Sequence, residues 1–257
     1  MGISGQGECG AIRLFNDFCG PEIPVANAVA YGTTAGGCNY SLGDFVVKGD
    51  LAETDTGIAG LDKSSGFVRI SGNDENGKGV WIGSDVAFSP QLNGQLVCEA
   101  RVESAALTAR VLFVGFMATC ADDVAEPITS TTATCTRVCN AIGFLFDSQL
   151  TVQAVSGTEY WSMPYMISTT STQNSTDIDS DQALVAGECD VLRVVINPDG
   201  SAEWWINGEL EQTVAAAAGA DVATLLAGGI GCWATTSTAA NLDVDYLLVK
   251  ANRDWTR

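Results

Sequence analysis

No histidine occurs among the 257 residues. Its absence removes Ser-His-Asp and Cys-His nucleophile systems, histidine general bases and histidine-ligated zinc. The expectation therefore moves from catalysis toward binding or structure. Cations are nearly as scarce: 12 Lys and Arg face 31 Asp and Glu, a formal net charge of −19. Such a chain offers no cationic surface to nucleic-acid phosphates or anionic lipid, so neither nucleic acid nor membrane is an expected partner. An acidic shell serves solubility, or complements a basic protein surface. No apolar run is long enough to span a membrane. The opening stretch from Met1 to Glu8 has neither the basic segment nor the apolar core of a secretory leader, so a soluble protein not secreted by the usual route is expected.

No Cys-x-x-Cys is present, although there are nine cysteines: Cys9, Cys19, Cys38, Cys98, Cys120, Cys135, Cys139, Cys189 and Cys232. The count is odd, so at least one cannot pair within the chain. Cys135 and Cys139 are the closest pair and a weak metal signal. Cys98 lies among Leu96, Val97 and Ala100, and Cys232 stands beside Trp233; both read as small core hydrophobes. Mostly reduced thiols, made in a cytosol, are expected.

What is present is β chemistry. At 46% apolar the chain can bury a full core within one domain. The most legible stretch runs from Val191 to Asn197, turns at Pro198-Asp199-Gly200, resumes over Ser201 to Ile206, turns again at Asn207-Gly208 and continues over Glu209 to Val214. Those turn residues between β-branched and aromatic runs predict a three-strand meander, with adjacent Trp204 and Trp205 on opposite faces. A first strand is predicted over Ala11–Phe18, close to the last at Asn241–Ala251. Others are predicted at Asp44–Lys48, Phe67–Ser71, Gly79–Ile82, Gly94–Ser104, Leu107–Met117, Ala141–Asp147, Leu150–Val155 and Gly228–Thr235. The continuous apolar run Arg110–Phe116 implies a strand covered on both faces. Val102–Thr108 reads as a hairpin between two long strands. Cys120–Asn140 and Ser168–Asp181 read as polar loops, and Thr213–Ala227 as at most one short helix. A dozen or so strands without helical periodicity predict an all-β, two-sheet antiparallel jelly-roll sandwich over residues 11–257, preceded by a flexible arm of residues 1–10.

Several of these segments carry a resemblance. They are Asn16-Asp17-Phe18-x-Gly20, Glu99–Val102, Val114-Gly115-Phe116, Gly143–Asp147, Arg193–Asn197 with Asp199-Gly200, Ile206-Asn207-Gly208 and Asp245-Tyr246-Leu247-x-Val249. Together, over roughly Leu14 to Arg253, they resemble the concanavalin/laminin-G-like jelly rolls. The pattern is most similar to the lectin-like head decoration, or cement, proteins of tailed bacteriophages. The resemblance implies a viral structural protein, made in the host cytoplasm and carried on the virion. It would bind the major capsid protein from outside as a homo-oligomer, a trimer at capsomer junctions. The alternative is a carbohydrate-binding, lectin-like module for adhesion. No enzymatic activity and no cofactor are expected.

Candidate sites follow. Related laminarinase-type enzymes carry Glu-x-Asp-x-x-Glu on one strand; here Glu188-Cys189-Asp190-Val191-Leu192-Arg193 has Arg where the acid/base carboxylate is needed, and no catalytic residues are assigned. Asp177, Asp179 and Asp181, with Glu188 beyond them, mimic the ligand spacing of a calcium loop, but Gln182 replaces the loop glycine. They read as an exposed acidic loop or a non-EF-hand calcium site. Trp81, Trp161, Trp204, Trp205 and Trp233 are rings able to stack on sugars if open, or to pack a core if not. Trp161 and Trp205 are the sugar-binding candidates, since only one of Trp204 and Trp205 can face outward.

Overall fold

The computed structural model describes residues 10–20, 40–49, 57–72, 76–119, 126–131, 133–150, 159–166, 172–174, 178–216 and 219–254. In chain order the strands are β1 (Ala11–Asn16), β2 (Tyr40–Leu42), β3 (Phe45–Gly49), β4 (Gly57–Gly60), β5 (Val68–Ser71) and β6 (Gly79–Gly83). The short helix α1 (Pro90–Asn93) is capped by the Ser89 side chain. Then come β7 (Leu96–Glu103), β8 (Arg110–Met117), β9 (Ile128–Ser130), β10 (Thr134–Arg137), β11 (Ala141–Asp147), β12 (Glu159–Ser162) and β13 (Tyr165–Met166). The series closes with β14 (Thr172–Asn174), β15 (Asp179–Leu184), β16 (Cys189–Ile196), β17 (Ala202–Ile206), β18 (Glu209–Val214), β19 (Ala227–Ala234) and β20 (Asn241–Asn252).

The meander forms as its turns dictate. Pro198-Asp199-Gly200 closes β16 onto β17, with the Gly200 amide donating to the Asn197 carbonyl at 2.9 Å and Gly200 at φ 82°. Asn207 and Gly208, at φ 52° and 87°, make the two-residue turn into β18, the geometry that matches strand twist. β1 pairs β20 antiparallel from Ala11–Asn252 to Asn16–Leu247, so the first and last strands lie side by side as predicted. The expected arm falls outside the described residues except for Gly10.

Two large antiparallel sheets result. One has the order β18-β17-β16-β7-β20-β5-β4, with β1 beside the C-terminal half of β20; the other runs β15-β12-β11-β8-β19-β6-β3-β2, with β13 also on β11. Between them lie Leu96, Cys98, Ala100 and Val102 of β7 and Leu192, Val194 and Ile196 of β16. They face Val114, Phe116, Phe144, Phe146 and Ile230 from the opposite sheet. Burying each such side chain contributes about 1.5–3 kcal/mol. Cys98 and Cys232 belong to this core, as their sequence context implies.

A second apolar layer covers the outer face of the nine-stranded sheet, with Trp81, Val111, Phe113, Leu145 and Trp233 packed under Ile128, Cys135 and Ile178. It explains why β8 is buried at every position. The same face carries a cross-strand row of glycines, Gly143–Gly115–Gly229–Gly83. A Cβ on Gly83 would meet Trp81 Nε1 at 2.7 Å, and one on Gly229 the same ring at 2.7 Å. The missing side chains let the indole lie flat on the sheet.

Two expectations are corrected. Val102–Thr108 is not a hairpin, because β7 and β8 belong to different sheets. The segment arches across the sandwich, held by Arg110 Nη1 donating to Ser104 Oγ at 3.2 Å and to the Asn241 carbonyl at 2.9 Å. A strand alternating in burial and one buried on both faces need different surroundings, and the arch supplies them. The two polar loops are also partly ordered: β10 from the first pairs with β14 from the second, and with β9, in a three-stranded sheet. Its few apolar residues, Ile128 and Cys135, cover the outer layer. The short helix is at Pro90–Asn93, and the described residues of Thr213–Ala227 hold none, within the expectation of one at most. Of the strand predicted at Leu150–Val155, only Leu150 is described, and it lies outside any strand.

Candidate functional site on the outer face of the eight-stranded sheet

Four of the five candidate tryptophans have no open face. Trp81, Trp161, Trp204 and Trp233 are at most 1% exposed. Trp161 is thereby withdrawn as a sugar-stacking residue: its ring makes T-shaped pairs with Phe144 and Phe146, and its Nε1 donates to Asp190 Oδ2 at 3.0 Å. Trp205 is the exception. It stands half-buried on the outer face of β17, its Nε1 donating to Glu203 Oε2 at 3.2 Å. A bulge in β18 opposite Trp204 and Trp205 sets Leu210 across from Trp205. It frees Glu211 to bond the Asp181 amide and the Gln182 side chain on β15, a re-aiming that bulges commonly perform.

Register extends this position into a row. Leu210, Trp205, Arg193, Glu99, Leu248 and Phe15 are successive Cα partners on β18, β17, β16, β7, β20 and β1, and cross-strand partners share a face. Arg193 Nε lies 3.7 Å from Glu99 Oε2, and Glu99 Oε1 accepts from the Tyr246 hydroxyl at 2.9 Å. Burial, and then the bond to Glu99, push the Tyr246 phenol upward, so it stays a donor at neutral pH. Its ring lies 6.2 Å from that of Phe15, which is 38% exposed. Glu99, Val191, Arg193, Trp205 and Gly208 line a shallow depression on this face. An aromatic wall beside a carboxylate and a guanidinium is a set able to stack on a ring and bond its hydroxyls.

The part of this face toward β5 is occupied by the protein's own side chains. Asp243, 2% exposed, accepts from Lys63 Nζ at 2.9 Å and from Arg69 Nε at 2.7 Å. Phe67 lies between Lys63 and Arg101, 5.2 and 5.5 Å from its ring centre.

The calcium candidates are not brought together. Asp179 and Asp181 are exposed on β15 and Glu188 is in the turn before β16, while Asp177 lies outside the described residues. No group of three His, Cys, Asp or Glu able to hold a metal occurs among the described residues. The glycosidase-like run also disperses. Glu188 is exposed, Asp190 is engaged by Trp161 and by Asn207 Nδ2 at 3.0 Å, and Arg193 faces outward. Sequence reading missed Glu99, Arg193, Tyr246 and Phe15 as a group. Strand alternation places each on a face, but only inter-strand register makes them neighbours.

No protein-family model matches the chain, and no curated protein does. Solved structures do. A protein of unknown function from Shewanella oneidensis MR-1 superposes with a TM-score of 0.62 at 13% identity, covering 96% of this chain and 89% of that one. A variant of the Emp46p carbohydrate recognition domain gives a TM-score of 0.50 at 10% identity, covering 80% and 87%. Peanut lectin gives 0.49 at 10% identity, covering 94% and 97%. The fold is a concanavalin/lectin-like jelly-roll sandwich, as the sequence predicts. None of these three is described as a capsid protein, so the narrower resemblance to phage decoration proteins gains no support from them.

Proposed function

We propose that this is a non-catalytic, carbohydrate-binding module of the lectin-like jelly-roll class. The observation that carries the reading is the half-open Trp205 beside Arg193 and Glu99 on the outer face of the eight-stranded sheet, the other described tryptophans being buried elsewhere in the fold. An indole face stacks on a pyranose, and the ion pair offers a donor and an acceptor to its hydroxyls. The absence of histidine and the dispersal of Glu188, Asp190 and Arg193 support binding without turnover. The test is a saccharide screen read by tryptophan fluorescence, repeated with Trp205→Ala. A response in the parent that is lost in a folded variant supports the reading. Silence across neutral and acidic saccharides, or a response that survives Trp205→Ala, overturns it.

A second reading, a capsid decoration protein on the virion, rests on charge. Lys48, Lys63, Arg69, Arg101 and Arg193 are held in ion pairs, and the −19 excess of acid is left to meet a basic shell. On this reading the protein is a homo-oligomer, a trimer, released from particles as salt rises. Attachment indifferent to salt, or release of a monomer, counts against it.

A further inference from the structure

Beside the row from Leu210 to Phe15 runs a second one, two residues along each strand. It comprises Thr213 (three residues along β18, because of its bulge), Glu203, Val195, Val97, Lys250 and Arg13, again successive Cα partners across β18, β17, β16, β7, β20 and β1. Its last two members are cations directly opposite one another, both exposed. Like charges in that arrangement repel. The chain has only 12 cations against 31 acids, yet no carboxylate pairs with Arg13 or Lys250 among the described residues. Arg13 rests on the Phe15 ring, its Cζ 5.0 Å from the centroid. At the other end of the face, Glu203 is taken by Trp205 Nε1, and in the middle Arg193 is answered by Glu99. From Trp205 to Glu99 the face therefore carries one net negative charge, and the two cations stand at the Phe15 end, where the Asp44 carboxylate accepts from the Phe15 amide at 3.4 Å.

We infer that this face binds an extended acidic oligosaccharide, crossing the strands from Trp205 to Phe15 with a uronate-type carboxylate held between Arg13 and Lys250. The inference rests on the carbohydrate reading and names the ligand class for that site. Trp205 on β17 and Phe15 on β1 are four strand steps apart, ~19 Å at the usual spacing, which suits a chain of several pyranoses rather than one. Uncharged residues of that chain match the Arg193–Glu99 pair and the Leu248 side chain between the rings. A polyanion such as nucleic acid is disfavoured, since only one end of the face is cationic and the remaining surface repels it. A single carboxylate at that end meets two cations with which no carboxylate of the described residues pairs.

The experiment uses the full chain and oligosaccharides of one to six residues that carry one terminal uronic acid, beside the same compounds with the carboxyl reduced to the alcohol. Binding is measured by calorimetry at low and at physiological ionic strength. The acid form is expected to bind about tenfold tighter than the reduced form at low salt, the gap narrowing as salt screens it. Affinity should rise with chain length to about four residues and then level off. Arg13→Gln with Lys250→Gln should abolish the acid-over-reduced preference, with an unchanged melting temperature as the check on folding. Equal affinity for the two forms, or a preference that persists in the double variant, overturns the acidic-ligand inference; if both forms still bind through Trp205, the carbohydrate reading survives. Affinity already maximal for a monosaccharide overturns the extended mode. Absence of binding by every compound overturns both.

Discussion

Trp204 and Trp205 are adjacent on β17 and serve opposite sides of the sheet. The Trp204 indole fills the core, donating to the Gly143 carbonyl of the other sheet at 2.8 Å, with Tyr165 6.0 Å from its ring centre. Trp205 faces out beside Glu203, Arg193 and Glu99. The two alanine variants should therefore separate stability from binding. Trp204→Ala is expected to cost about 3–5 kcal/mol through lost burial and a cavity. Trp205→Ala should change stability by about 1 kcal/mol or less while removing any saccharide response. Urea unfolding of both variants checks the first half, and equal destabilisation would refute the assignment of faces.

The sheets are also tied at one edge by a buried donor. Trp161 Nε1 on β12 reaches Asp190 Oδ2 on β16, whose Oδ1 accepts from Asn207. Asp190→Ala leaves that indole N–H without its partner inside the protein, an expected loss of about 1–3 kcal/mol. Asp190→Asn, which keeps an acceptor, should recover part of it. If thermal melts place both variants at the parent value, the tie carries no stability.

The meander was legible because its information is local: Pro198-Asp199-Gly200 and Asn207-Gly208 choose their turns regardless of the rest of the chain. The same local logic misread Val102–Thr108, where β7 and β8 part to opposite sheets. What separates a hairpin from an arch is the partner each strand finds far along the chain, β16 and β20 for one and β11 and β19 for the other. The site divides in the same way. Alternation alone made one of Trp204 and Trp205 an outward ring. Its companions Arg193, Glu99 and Phe15 come from strands distant in sequence, and their alignment depends on register. The small sheet of β9, β10 and β14 escaped notice because Thr and Cys there supply little apolar periodicity, though Ile128 and Cys135 are fully buried.

Glycine substitutions should rank by what a Cβ would meet. At Gly208, φ is +87° and nothing lies within 4 Å, so Gly208→Ala pays only for the left-handed backbone, about 1 kcal/mol. At Gly229 a Cβ runs into the Ile82 carbonyl and the Trp81 ring. Overpacking there is expected to cost about 1–3 kcal/mol or more and to perturb the Trp81 fluorescence. Denaturation midpoints in the reverse order would show that the glycine row is not close-packed against the indole.

Stability should fall as pH rises through a window set by Glu126. Burial first, and the charge of Asp147 second, raise its carboxyl from 4.5 to about 7. Asp147 is 1% exposed and is itself pushed upward by burial, against bonds from the Gln149 amide and Ser130. Cys135, also facing Asp147, is raised to about 11 and stays a neutral thiol throughout this range. With the folded value above the unfolded one, the native state holds the extra proton between about pH 4.5 and 7. Below that window both states are protonated and Glu126 exacts no penalty; above it both are ionised, and the native state bears the whole cost of a buried anion beside another. Glu126→Gln should therefore match the parent near pH 4 and exceed it by about 2 kcal/mol near pH 8, allowing for solvent screening at the partly open carboxyl. Urea midpoints from pH 4 to 8 give the difference curve directly. A flat difference between the two proteins would mean that Glu126 keeps its ordinary titration in the fold, and that the second apolar layer leaves it in water.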